Sequence, residues 1–80
     1  MESRQHHMKN IQTMLSVFMD VNHMTKRSDK YLSSARYRIA EYWFIRGYIA
    51  AMPDGDSKEF IVGFTSMLAT AGRSILTLKP

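Results

Sequence analysis

Apolar residues recur at helical spacing in three stretches of this chain, separated by two polar breaks. At about 100° per residue, Met8, Ile11, Met14, Leu15, Phe18, Met19 and Val21 share one side of the first stretch. Lys9, Gln12, Thr13, Ser16 and Asp20 fall opposite them. This pattern predicts an amphipathic helix over about 4–24, with one buried face. The break that follows, Thr25-Lys26-Arg27-Ser28-Asp29, is polar and rich in capping residues, and Ser28 suits an N-cap.

The second stretch predicts a helix over about 29–52. Leu32, Ala35, Ile39, Trp43 and Ala50 form its principal stripe, flanked by Tyr42 and Ile49. A second stripe, Tyr37, Phe44 and Tyr48, lies on the far side. A helix apolar on two faces packs either between two neighbours or against its own subunit and a partner. The turn Pro53-Asp54-Gly55-Asp56 ends it, because proline presets its own φ and glycine accepts positive φ.

The third helix is expected over about 57–72. Asp56 takes the cap position and Glu59 completes a capping box. Phe60, Ile61, Phe64, Met67, Leu68 and Ala71 make the apolar face, and Gly72 suits the residue just past the end. The tail, 73–80, is expected to dock as an extended segment or to prolong the helix beyond a kink. The architecture implied is all-α: a small three-helix bundle over 1–80, a single domain with a short C-terminal tail.

The outer side of the third helix holds Val62, Gly63, Thr65, Ser66, Ala69 and Thr70, with no charge after Glu59. Gly63, Ser66 and Thr70 fall in a line at helical spacing, which permits close approach by another backbone. Together with the Tyr37, Phe44 and Tyr48 stripe, this is more neutral surface than one small core hides. The expected interface is therefore Tyr37, Phe44, Tyr48, Val62, Gly63, Ser66 and Thr70. The partner expected there is another protein or a second copy in a homodimer.

Composition supports a folded chain: 45% of the 80 residues are hydrophobic. A core this small rarely supplies more than about 3–5 kcal/mol. With no cysteine, disulfides and thiolate metal sites are excluded, so a partner is the remaining source of stability. The longest run without Asp, Glu, Lys or Arg, Phe60 to Gly72, has thirteen residues. That is short of the roughly 20 that a membrane helix needs, and the expected setting is the cytoplasm.

The net charge of +4 is concentrated in residues 26–46, where six cations face Asp29 and Glu41. Lys26, Arg27, Lys30, Arg36 and Arg38 would carry an alternative function, binding nucleic acid through phosphate contacts. Arg36, Arg38 and Arg46 point in widely separated directions on the helix, which disfavours a groove reader. A helix-turn-helix fits poorly too, since the third helix has no Arg, Lys, Asn or Gln between Phe60 and Gly72 to reach base edges.

His6, His7 and His23 do not converge and are expected to be exposed, so no metal site is implied. Asp54 and Asp56 cover half of a calcium loop, but Lys58 and Phe60 occupy positions that need oxygen ligands. No serine sits in a glycine-rich elbow, and no acidic pair lies on an apolar face. The sequence points to a non-enzymatic interaction or regulatory protein without a cofactor.

Overall fold

A computed structural model describes residues 3–78. It contains α1 (Arg4–Val21), α2 (Asp29–Leu32), α3 (Ala35–Ala51) and α4 (Asp56–Thr70), followed by a 3-10 turn at Ile75–Thr77. There is no strand among the described residues. Helices α1, α3 and α4 pack on one another as a small bundle, and the 3-10 turn closes its end against α1 and α2. The core takes Ile11, Leu15 and Met19 from α1, Tyr37 and Ile45 from α3, and Ile61 and Leu68 from α4. Leu32 and Ile75 complete it from the shorter elements.

Helix α1 starts on Ser3, whose side chain accepts from the His6 N–H at 3.1 Å. It ends three residues earlier than the hydrophobic pattern suggests, in a Schellman motif. Met24 N–H bonds Met19 C=O at 2.8 Å, and His23 N–H bonds Asp20 C=O at 3.0 Å. Met24 is buried beside that end. The motif needs a left-handed residue, and His23 takes that place with φ 62°. A side chain there is strained, so His23→Gly is expected to stabilise the protein by about 0.5–1 kcal/mol, read as a higher urea midpoint at unchanged m-value. Helix α4 ends in the same motif with a residue suited to it: Gly72 has φ 71°, and Arg73 N–H bonds Leu68 C=O at 2.9 Å.

The expected helix over 29–52 is in fact two. Ser33 and Ser34 interrupt it because their hydroxyls compete for backbone partners. Ser34 Oγ donates to Tyr31 C=O at 2.6 Å and accepts from Tyr37 N–H, so it finishes α2 and caps α3. The interruption changes the phase of α3. In one continuous helix Leu32, Ile39 and Trp43 would share a side. With the break, Leu32 stays buried while Ile39 and Trp43 are 60% and 65% exposed.

The two stripes of α3 therefore exchange roles. Tyr37, expected at a partner interface, is only 5% exposed, and Phe44 and Tyr48 pack partly buried against the core. Their polar atoms have partners inside: the Tyr37 hydroxyl accepts from Lys26 N–H at 3.2 Å, and the Tyr48 hydroxyl lies 3.0 Å from His7 Nδ1. His7 is thus a buried histidine, at 9% exposure, against the expectation of an exposed one. On α1 the buried side is narrower than predicted. It runs His7, Ile11, Leu15, Met19, leaving Met14, Phe18 and Val21 exposed.

The turn between α3 and α4 differs in one detail. Gly55, not Asp56, is the cap residue, at φ 153°, and Asp56 is the first residue of α4. Asp56 and Glu59 in the first turn still favour the helix dipole, and Asp56 also pairs with Arg4 at 2.7 Å.

The tail is neither extended nor a continuation of α4. Ser74 caps the 3-10 turn by accepting from Leu76 N–H at 3.0 Å. From α1, the Gln12 amide donates to the carbonyls of Ile75 and Leu78, both at 3.0 Å. Residues 79–80, which the expected tail includes, lie outside the described residues.

Candidate functional site, a groove between two helices

Helices α3 and α4 leave a groove of about 760 Å³ between them. Its α3 wall runs from Ala35 to Ala50 and includes Ile39, Tyr42, Trp43 and Ile49, and its α4 wall includes Val62, Thr65, Ser66 and Ala69. The α4 residues recur at three- and four-residue steps, so they share one side of that helix. Each is short, and four short side chains in a row leave open space between the helices. The uncharged stretch of α4 visible in the sequence is therefore the wall of a cleft. Ile39, Tyr42, Trp43 and Val62 are all exposed. Trp43 meets Tyr42 edge to face, with ring centroids 5.2 Å apart.

The charge of the groove is one-sided. Arg38, Arg46, Lys58 and Arg73 line it, against the single carboxylate Glu41. Arg38 leans across it to the Ala69 carbonyl at 3.3 Å. Arg46 donates to the Tyr42 hydroxyl at 3.2 Å and lies 5.4 Å from the centre of that ring. Lys58 pairs with the fully exposed Asp54 at 3.2 Å, a contact worth little in water. Arg38, Arg46 and Arg73 form no ion pair among the described residues.

Glu41 lines the groove with both carboxylate oxygens engaged. One carboxylate oxygen accepts from the Ser74 hydroxyl and the other from Ile75 N–H at 2.9 Å. Burial pushes its carboxyl above the ordinary range, opposed by those two hydrogen bonds and by the Arg38 charge. Glu41 fastens the tail to α3 beneath the groove, and nothing in the sequence pattern signals that contact. The pair is 33 residues apart.

Of the residues expected at an interface, Val62 and Ser66 line the groove. Gly63 and Thr70 are exposed on α4 but outside the lining. A Cβ added at Gly63 meets nothing within 4 Å, so no neighbouring backbone requires glycine there. Tyr37, Phe44 and Tyr48 belong to the opposite side of α3, toward the core. In their place the groove takes Ile39 and Trp43, the stripe that periodicity assigns to the core.

The five cations of the basic segment are divided. The half-buried Arg27 is turned onto α1, bonding Asp20 Oδ1 at 2.6 Å and Ser16 C=O at 3.1 Å, and so closes the loop after that helix. Lys26 donates to the Tyr31 hydroxyl at 3.0 Å, which raises its pKa, and Lys30 lies over the same ring at 5.8 Å. Arg36 reaches the Asn22 carbonyl at 3.4 Å. Arg38 alone of the five joins the groove. Among the described residues no cluster of three His, Asp or Glu is placed to hold a metal ion. None of their helices is long and apolar enough to cross a membrane.

Comparison with known protein families, with curated proteins and with solved structures finds no match for this chain.

Proposed function

We propose that this protein is a non-enzymatic interaction module whose contact surface is the α3–α4 groove and whose partner is another protein. The observation that carries this reading is the exposure of Ile39, Tyr42, Trp43 and Val62 along one cleft. Isolated apolar side chains on a surface need no explanation, but a row of large ones lining a continuous groove marks a contact site. Aromatic and arginine side chains are also the types that carry most binding energy at protein interfaces, and Trp43, Tyr42, Arg38 and Arg46 are all present here.

A photo-crosslinking amino acid at position 39 or 62 tests the reading in a lysate of the source cells, with position 13 on α1 as the control. Protein adducts that form from the groove positions and not from Thr13 are expected. Equal labelling from all three positions, or none from the groove, removes the proposal.

A further inference from the structure

We infer that the occupant of the α3–α4 groove is an acidic amphipathic helix of a partner protein, about four turns long. This rests on the groove being a protein-binding surface and adds what it binds. The first argument is length. The α3 wall runs from Ala35 to Ala50, which at 1.5 Å per residue is about 22 Å, the span of a helix of roughly 15 residues. The second is backbone chemistry. An extended peptide gains most of its backbone pairing by adding to a sheet edge, and the described residues contain no strand to offer one. A helix arrives with its backbone already paired and needs only an apolar trough, which the short side chains of α4 leave open.

The third argument is charge. Arg38, Arg46, Lys58 and Arg73 flank an apolar floor, while both oxygens of the lone carboxylate, Glu41, are engaged with the tail. A helix with Leu- or Phe-type residues on one side and Glu or Asp on its flanks complements this pattern. A second copy of the chain does not. Groove against groove would set four cations against four. The other exposed apolar stripe, on α1, comes from a helix with Arg4 and Lys9 and one acid, Asp20, already held by Arg27 at 2.6 Å. Nucleic acid fits less well because Ile39, Ile49, Ala50 and Val62 line the floor, where phosphates would lose water without gaining partners.

The test is a displayed library of helices about 16 residues long, with a fixed apolar stripe and flanking positions varied among Glu, Lys, Gln and Ser, selected on the intact protein. Enrichment of Glu at the flanks is expected. Binding should weaken as salt rises, and should fall about tenfold or more in the Arg38→Glu/Arg46→Glu variant. Both arginines are exposed, and circular dichroism with a urea melt checks that the variant is folded. Helices selected with neutral or Lys-rich flanks would overturn the acidic occupant while leaving the groove as a binding site. Failure to select any helix whose binding is lost in Ile39→Glu would overturn both. A dimer in sedimentation equilibrium that Trp43→Glu dissociates would make the occupant a second copy and end the proposal. So would a labelled single strand of about 16 nucleotides that binds the wild type and loses that binding in Trp43→Glu.

Discussion

Ile75→Ala is expected to cost about 2–5 kcal/mol, enough to leave a large fraction of the chain unfolded at 25 °C. Ile75 is fully buried although it lies past the last long helix. The 3-10 turn holding it touches α1 and α2, and α3 reaches it through the Glu41 carboxylate. Removing its side chain empties a space that several elements share and that relaxes poorly, because each is fixed elsewhere. Equilibrium urea denaturation measures the effect, and Ile75→Val should lose only about 0.5–1.5 kcal/mol. A loss under about 1 kcal/mol for the alanine variant would mean that the tail is not anchored in the core.

The second large effect is expected at Glu41. Glu41→Ala leaves the Ser74 hydroxyl and the Ile75 N–H without their acceptor, and both residues are buried. The cost is about 1–3 kcal/mol at neutral pH. The carboxyl also gives stability a pH dependence of definite sign. Its folded pKa is raised above the ordinary value of 4.5, chiefly by burial. Between the unfolded and folded values the native state holds the extra proton, so stability falls as pH rises through that window. This proton-linked part of the stability is complete below the unfolded pKa and is lost above the folded one, while the hydrogen bonds to Ser74 and Ile75 act separately from it. Denaturation at a series of pH values from about 4 to 8 should show this decline in the wild type and a flatter curve in Glu41→Gln. An unchanged slope in Glu41→Gln would assign the pH dependence to another group.

These two residues mark where sequence reasoning stops. The three long helices, the turn at Pro53 and the left-handed end at Gly72 follow from local periodicity and local chemistry, and the structure has each of them. The uncharged side of α4 was equally visible, because a missing charge can be read from a single wheel. What it faces was not visible. Glu41, Gln12 and Ile75 act across separations of 34 and 63 residues, and no local rule connects them. His7 is similar: its pairing with Tyr48 spans 41 residues, so its place in the core depends on packing between helices.

The inward side of α3 is a different kind of miss. Periodicity sorts its residues into two stripes, and the break at Ser33 and Ser34 reverses which of them meets the core. Tyr37, Phe44 and Tyr48 carry polar atoms or large rings that look suited to a boundary, and Ile39 aligns with Leu32 only if the helix is unbroken. Ser33 and Ser34 were the signal. Serine is tolerated inside helices, so propensity alone did not separate an interior pair from a cap. The difference lies in the hydroxyl of Ser34, which serves a carbonyl behind it and an amide ahead of it.

That double use makes the serine pair a rotational coupling between the short α2 and the long α3. Substitutions there alter the strength of the joint, whereas a one-residue insertion or deletion shifts the caps themselves and resets the direction in which α3 presents its two sides. An added residue that joins α3 would move Trp43 into the place of Phe44, toward the core, and Tyr37 into that of the exposed Arg38. Length at this joint is therefore under tighter constraint than identity: an indel between Leu32 and Ala35 should be more damaging than any single exchange of Ser33.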